Sequence, residues 1–362
     1  MTAIAAPPAP PRRSLAAALS WVTTPLLPED YLSLVNPLWS TRELRGRVEA
    51  VVYETLDAAT IVIRPGRSWS AQRAGQYVRV GVEINGVRHW RTYSLTSPPE
   101  RADGRITITV KATPGGFVSN HLVRATKPGT IVHLAGPNGD FVLHESTPAR
   151  ILFVTAGSGI TPIMGMLRSL DARRAMPDVV LVHSSPAARD VIFGAELRAL
   201  AARTPSFRFV ERHTQTDGVL AIQNLDSVCT DWRERESWVC GPAAMLDDAE
   251  RHWGSAGLAA RLHVERFRPV TPVFNDGAGG TVRFTLTGRE VEVGAATPIL
   301  DAGENAGVLM PSGCRMGICH SCVVTLRCGR VRDLRTGEIH GDEGDLVQTC
   351  VSAPAGDVAI EL

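Results

Sequence analysis

Cys314-Arg315-Met316-Gly317-Ile318-Cys319-His320-Ser321-Cys322, with Cys350 far downstream, is the stretch around which the chain is organised. Its C-x4-C-x2-C…C spacing is that of plant-type [2Fe–2S] sites. Four thiolates must converge on two irons, so the loop has to bend three sulfurs around one point. Gly313 and Gly317 permit that bend, because glycine tolerates positive φ and close backbone approach. The fourth ligand must come from a separate element, and Cys350 follows a predicted strand at Asp345–Thr349. Zinc knuckles favour paired C-x2-C units, which this spacing lacks. Disulfides do not suit a chain without a convincing secretion signal. The candidate metal ligands are therefore Cys314, Cys319, Cys322 and Cys350.

From about Gly280 to Leu362 the chain resembles the plant-type ferredoxin domain. The resemblance implies a β-grasp fold in which Cys314 and Cys319 hold one iron and Cys322 and Cys350 the other. Ile318 and the neighbouring amides are expected to tune the cluster by burial and hydrogen bonds to sulfur. A one-electron centre needs a donor and an acceptor, and the rest of the chain is expected to contain one of them.

The 362 residues suggest two or three domains. Apolar content of 44% and charged content of 21% describe an ordinary globular composition. A formal net charge of +1 gives no sign of a nucleic-acid partner. The charge is uneven: from Gly280 onward 11 acidic residues face 7 basic ones, so the remainder is basic. That asymmetry suits electrostatic docking, and a solvated surface is the plainer reading. Seven cysteines leave three beyond the ligand set. Cys229 and Cys328 read as buried or neutral thiols, and Cys240 falls in a motif considered below. Free thiols and an iron–sulfur site fit a reducing cytoplasm.

Met1–Arg13 is Ala/Pro-rich. The apolar run Leu15–Val22 is too short to span a bilayer, and no small-residue cleavage site follows Arg12-Arg13. The expectation is a short docking helix at Ser14–Thr23, capped by Ser14. Its Leu15, Leu19, Trp21 and Val22 would suit peripheral contact with the inner face of a membrane or with a membrane partner.

From Leu44 to about Leu143 the pattern is of short alternating runs: Arg47–Thr55, Ala59–Arg64, Tyr77–Val82, Val87–Leu95, Arg105–Ala112 and Thr130–Ala135. Asn85-Gly86, Asp103-Gly104 and Pro128-Gly129 supply turns, and strands so spaced predict an antiparallel β-barrel. Within it lies Arg91-Thr92-Tyr93-Ser94. On a strand Arg91 and Tyr93 share one face and Ser94 takes the other. Arginine can fork onto a phosphate, tyrosine can cover a ring system and serine can bond a polar ring atom. Lys111 and Gly115-Gly116-Phe117-Val118-Ser119 follow, opening a predicted helix at Ser119–Arg124 whose free N–H groups suit a phosphate.

The R-x-Y-S and G-G-x-V-S pair, in this order, resembles the flavin domain of the ferredoxin–NADP reductase superfamily. The resemblance implies that Arg91 contacts the flavin pyrophosphate, with Thr92 beside it, and that Tyr93 packs on the flavin. Ser94 would lie near flavin N5, Val110 and Lys111 would border the ring and ribityl chain, and Gly116, Val118 and Ser119 would hold phosphate. Gly136-Pro137-Asn138-Gly139-Asp140-Phe141 matches the turn closing such a domain, and the Val118–Leu122 ending is similar to FAD-binding rather than FMN-binding members.

Arg150–Val154 is a continuous apolar run, as in a buried parallel strand, and it enters Thr155-Ala156-Gly157-Ser158-Gly159-Ile160-Thr161-Pro162. Strand, glycine turn and helix (Pro162–Ala172) form a phosphate-binding unit. Strand Val179–His183, helix Ala195–Ala202, strands Phe207–Arg212 and Ser237–Cys240, and helix Ala243–Trp253 continue an α/β doubly wound pattern. Cys240-Gly241-Pro242 with Met245 stands at a strand's carboxyl end, where ligands bind in such sheets. The superfamily resemblance implies that Cys240 borders the hydride-transfer site. The plainer reading is a buried apolar thiol. Coenzyme choice turns on the strand ending at His183. Ser184, Ser185 and Arg189 suit a 2′-phosphate and hence NADPH; Asp190 dissents, leaving NADH as the alternative coenzyme. Val264-Glu265-Arg266-Phe267 is similar to the segment that brings an acid and an aromatic near the flavin, which would give Glu265 a catalytic role beside Ser94 and Cys240.

The resemblance covers nearly all of the chain after Leu44 and divides it into an extension (1–43), an FAD-binding barrel (44–145), an NAD(P)-binding α/β domain (146–268), a linker (269–280) and a β-grasp [2Fe–2S] domain (281–362). It implies an NAD(P)H-dependent oxidoreductase in which hydride passes from NADPH to FAD and single electrons pass through the [2Fe–2S] cluster to a terminal oxygenase, hydroxylase or membrane fatty-acyl desaturase. Pro28–Leu32 and Asn36–Trp39 look most like reductase partners of desaturases. A stand-alone oxidase or quinone reductase, or a non-catalytic regulatory protein retaining the fold, are the alternatives. The 10 histidines look scattered, with no His/carboxylate cluster legible.

Overall fold

Six short alternating runs become one antiparallel sheet: β1 Arg45–Tyr53, β2 Ala58–Pro65, β3 Tyr77–Ile84, β4 Val87–Ser94, β5 Ile106–Lys111 and β6 Ile131–Leu134. They are seen in a computed structural model that describes residues 35–40, 42–267, 279–313, 315, 317 and 320–362. The Ser14–Thr23 helix, residues 269–278 of the linker, and Cys314, Ile318 and Cys319 lie outside the described residues. The strand order is β4-β3-β6-β1-β2-β5, and a bridge from Leu95 to Ile108 joins the two ends into a barrel. Val78, Val80 and Val82 alternate inward with Ile61, Ile63 and Ile108. Each such side chain stabilises the fold by roughly 1.5–3 kcal/mol when fully buried. Helix α1 (Phe117–Arg124) starts two residues earlier than expected, at N-cap Gly116. A Cβ at Gly116 would lie 2.3 Å from Thr113 Oγ1 and 2.4 Å from Ser119 Oγ, so a larger residue would force both hydroxyls to move.

Asn36–Trp39 packs on the barrel. Asn36 Oδ1 accepts from Leu38 N and Arg47 Nη2, and Leu38 is buried.

The second unit alternates β7 Arg150–Ala156, α2 Ile160–Ala172, β8 Asp178–Ser185, α3 Gly194–Arg203, β9 Phe207–His213, β10 Glu236–Cys240, α4 Ala243–Ser255 and β11 Leu262–Glu265. All pairs are parallel, in the order β11-β10-β7-β8-β9, with apolar cores on both faces. The chain moves outward in opposite directions from β7, so the crevice between β7 and β10 is the topological switch point where ligands bind. Helix α2 also presses on the barrel: a Cβ on Gly165 would lie 2.5 Å from the Leu95 carbonyl. Phe141 and Leu143 of the barrel share one core with Ile163, Met166 and Trp238. The two units therefore hold a fixed mutual orientation.

The third unit contains β12 Gly280–Phe284, β13 Arg289–Val293, α5 Ile299–Asn305, β14 Val323–Cys328, β15 Val331–Asp333, β16 Ile339–His340, β17 Leu346–Gln348, β18 Ser352–Pro354 and β19 Val358–Ile360. Its main sheet runs β13-β12-β19-β14-β17, with β12 and β19 parallel and α5 packed on the sheet through Ile299 and Leu300. This is the β-grasp arrangement expected. Cys229 is buried, whereas Cys328 is exposed, because β14 shifts register between Leu326 and Cys328 at its end.

Candidate functional site

A cleft of about 740 Å³ is lined by all three units. The barrel contributes Arg91, Thr92, Tyr93, Ser94, Val110, Lys111, Gly116, Val118 and Ser119; the α/β unit contributes Ser158, Thr161, Glu265 and Phe267; the third unit contributes Asp301, Arg315 and Cys350. Arg79 Nη2 donates to Ser321 Oγ at 2.8 Å, linking the barrel to the cysteine loop.

The barrel residues are aimed by β4, by the end of β5 and by the start of α1. Arg91 donates to the Trp90 carbonyl and makes no ion pair with a described carboxylate. Burial, and then the nearby Arg315, pull its pKa down. A bound anion would relieve both effects. Thr92 Oγ1 is buried without a partner. Burial pushes the Tyr93 phenol up, so it stays neutral and offers an apolar face with an O–H donor. Ser94 is nearly enclosed. An unpaired guanidinium, an orphaned hydroxyl and the N-terminal amides of α1 fit a dinucleotide pyrophosphate. Lys111 reaches the same cleft, but its ammonium is held by both Asp57 carboxylate oxygens at 2.6 and 2.7 Å.

Gly157 has φ +53°, and a Cβ on Gly159 would lie 2.0 Å from the Cys240 carbonyl. That contact brings the α2 start against the carboxyl end of β10, and Thr161 Oγ1 donates to the Ser158 carbonyl across the turn. Pro162 lies in the first turn of α2, Pro242 caps α4 and Met245 covers Gly241. Cys240 is fully enclosed and does not line the cleft. Burial, then Glu265, push its thiol well up. Glu265, its register partner on β11, does face the cleft. Burial first and Asp140 second raise the Glu265 carboxyl to about 7. Ser184 and Ser185 are buried at the end of β8, with Ser185 Oγ donating to the Ala187 carbonyl. Arg189 lines a different cleft, of about 660 Å³, between the α/β unit and β1–β2 of the barrel.

Cys322 Sγ and Cys350 Sγ lie 3.2 Å apart, well beyond the S–S bond length of about 2.05 Å and within reach of one metal. Its hydrogen-bonded pairing with Cys350 holds the Cys322 thiol down, to about 6, so it yields a thiolate readily. Two converging thiols, one of them acidified, fit an iron–sulfur centre. Cys314 and Cys319 lie outside the described residues. Gln348 Nε2 and Arg335 Nη1 both donate to the Gly317 carbonyl and brace the loop.

Two features were missed in the sequence. Asp301 and Arg315 pair with each other at 3.0 Å and line the flavin cleft from the third unit. The only signal was the position of Arg315 inside the cysteine loop. The histidines are also not all scattered: His144 and His263 converge with Glu236. The fold, rather than sequence proximity, joins them.

Comparison with known proteins agrees with this layout. The oxidoreductase FAD-binding domain family matches residues 70–143, the oxidoreductase NAD-binding domain family 153–251, and the 2Fe-2S iron-sulfur cluster binding domain family 284–355. The chain is 54% identical over 344 residues to an NADPH oxidoreductase of Mycobacterium tuberculosis, covering 94% of this chain and 90% of that one. It is 29% identical over 363 residues to the glycine betaine monooxygenase reductase subunit of Pseudomonas aeruginosa, covering 91% and 99%. The solved phthalate dioxygenase reductase shares the fold, with a TM-score of 0.64 and 23% identity over 88% of this chain and 97% of that one.

Proposed function

The chain belongs to the ferredoxin–NADP reductase superfamily, in its branch with fused FAD-, NAD- and [2Fe–2S]-binding domains, and from that premise we propose that it is the reductase that feeds NADPH electrons to an oxygenase. When bound, FAD accepts an electron pair from a nicotinamide and releases single electrons, which a [2Fe–2S] centre passes on one at a time. The single observation that carries the reading is one cleft running from the Ser158–Thr161 turn past Tyr93 and Ser94 to Cys350.

In this account Arg91 and the α1 start hold the FAD pyrophosphate, with Gly116, Val118 and Ser119 shaping the approach. Tyr93 covers the ring system. Ser94 orients the ring's polar edge through its hydroxyl. Glu265, poised about neutrality, holds or gives a proton there and excludes water together with Phe267. Gly157, Gly159, Thr161 and Pro162 cradle the nicotinamide nucleotide. Gly241, Pro242 and Met245 form the opposite lip, with Cys240 as the packed floor. Cys322 and Cys350, with Cys314 and Cys319, hold the cluster. The coenzyme reading is NADPH: β8 ends in two hydroxyls instead of an acid, and the Mycobacterium tuberculosis relative is named for NADPH.

The oxygenase acceptor is supported by relatives that are reductase components of monooxygenase systems, acting in glycine betaine and 3-ketosteroid oxidation. A membrane desaturase is the second acceptor class, with docking through the N-terminal segment. Asn36–Trp39 serves its own barrel, which leaves residues 1–34 to test. Among the described residues no helix is long and apolar enough to cross a membrane.

Cys350→Ser is the experiment. It should leave NADPH-driven dye reduction at the flavin near the parent rate and reduce electron delivery to cytochrome c or an oxygenase at least tenfold. Equal loss of both activities would count against the order nicotinamide, flavin, cluster.

A further inference from the structure

His144 leaves the barrel just past Leu143, Glu236 opens β10, and His263 sits within β11. The fold brings them to one point. His144 Nε2 and His263 Nε2 are 3.3 Å apart, and Glu236 Oε1 lies 2.7 Å from His263 Nε2 and 3.7 Å from His144 Nε2. All three groups are partly enclosed. The His263 ring lies flat on the Trp238 indole, with centroids 4.7 Å apart and planes at 25°. Trp238 Nε1 donates to the Val142 carbonyl and so fixes that platform against the barrel's exit segment.

Proton bookkeeping leaves this triangle incomplete. A neutral imidazole carries one N–H. If His263 Nε2–H serves Glu236, the same nitrogen cannot also accept from His144 Nε2, and the proton points away from it. The 3.3 Å approach of the two nitrogens is then left without a hydrogen bond of its own, whereas one cation would use both nitrogens and the oxygen. Zn²⁺ binds imidazole nitrogen and carboxylate oxygen at about 2.0–2.1 Å in a tetrahedron, which puts neighbouring donors about 3.3–3.4 Å apart. The two nitrogens already stand at that spacing. Evening the two Glu236 distances takes a shift of roughly half an ångström in one flexible side chain. Two imidazoles and one carboxylate select a borderline transition ion over Mg²⁺ or Ca²⁺. His144, the most exposed of the three, leaves room for a water as fourth ligand.

We propose that His144, Glu236 and His263 form a binding site for a Zn²⁺-class divalent ion that clamps the barrel's exit segment to the β10–β11 edge of the α/β sheet. The site lies at the amino end of β10, whereas the cleft lies at the carboxyl end of the same sheet. Four residues of strand, about 13 Å, separate Glu236 from Cys240. The ion would therefore brace the domain orientation and take no part in electron transfer.

The test uses holoprotein with FAD and cluster in place. ZnCl₂ is titrated in by calorimetry, and retained zinc and iron are counted separately by mass spectrometry. The expected result is one zinc per chain, bound at least tenfold more weakly in His144→Ala and in Glu236→Gln and unchanged in Cys328→Ser, which removes an exposed thiol. Zinc should raise the melting temperature of the parent and of Cys328→Ser only. His144 is half-exposed, so its variant should fold, and retained FAD absorbance verifies that. Absence of stoichiometric zinc, zinc binding that survives both site variants, or zinc lost only with Cys328 would overturn the proposal and leave a hydrogen-bonded cluster.

Discussion

Glu265→Gln tests the cleft through its most perturbed acid. Glu265 ends β11 opposite Cys240, and enclosure raises its carboxyl from 4.5 to about 7, with Asp140 adding to the rise. At about 1.4 kcal/mol per pH unit, that displacement makes the ionised form cost about 3 kcal/mol in the folded protein. The sign follows from proton binding. Between 4.5 and 7 the folded chain keeps a proton that the unfolded chain has released, so stability falls as pH rises through that window. The penalty is nearly absent below 4.5 and complete above 7. Glutamine has the same shape and no charge, so the variant should be more stable than the parent by about 3 kcal/mol at pH 8.5 and by less than about 1 kcal/mol at pH 5. For the barrel and α/β units together this corresponds to roughly 6–10 °C at the higher pH. The assay is the melting temperature of the holoprotein at the two pH values, read by fluorescence of released FAD. Equal shifts at both, or a larger gain at pH 5, would refute the burial argument. Activity supplies the companion readout: flavin reduction should lose its inflection near neutral pH in the variant.

Two further outcomes follow from the geometry. Gly159→Ala drives a methyl group to 2.0 Å from the Cys240 carbonyl, so it should cost at least about 1–3 kcal/mol and raise the KM for NADPH at least tenfold, measured by steady-state dye reduction. Arg189→Ala tests the 2′-phosphate reading: loss of one charge-assisted contact, about 1.5–3 kcal/mol, should raise the KM for NADPH roughly ten- to a hundredfold and leave NADH nearly unchanged, whereas equal changes would remove Arg189 from that role.

Local periodicity made the elements legible. Alternation exposed the barrel strands, and the apolar run Arg150–Val154 announced a buried parallel strand that the structure places at the centre of its sheet. Glycines 157 and 159 marked the turn: Gly157 takes a left-handed φ and Gly159 has no room for a Cβ. What escaped notice depends on residues distant in the chain. Lys111, expected to border the flavin ring and ribityl chain, meets Asp57 beside the β2–β5 pair, a contact that no local spacing marks. His144 and His263 are separated by more than a hundred positions and meet only because β11 lies beside β10 at the barrel exit. Asp301 and Arg315 reach the flavin cleft because the third unit docks there, and no spacing within the β-grasp segment encodes that docking. Cys240 shows a third kind of limit: its motif marks the right strand end, while its enclosure, in the core it shares with Phe153, Ile160 and Ile163, keeps it out of the cleft that Glu265 faces.

The most direct measurement is anaerobic titration of the purified holoprotein with NADPH, and separately with NADH, followed by absorbance and EPR. Loss of flavin absorbance followed by the EPR signal of a reduced [2Fe–2S] centre, at lower concentration of NADPH than of NADH, is the expected result. With both cofactors present, a flavin that neither nucleotide reduces, or a reduced flavin beside a cluster that stays oxidised, would contradict the electron path from nicotinamide through flavin to Cys322 and Cys350.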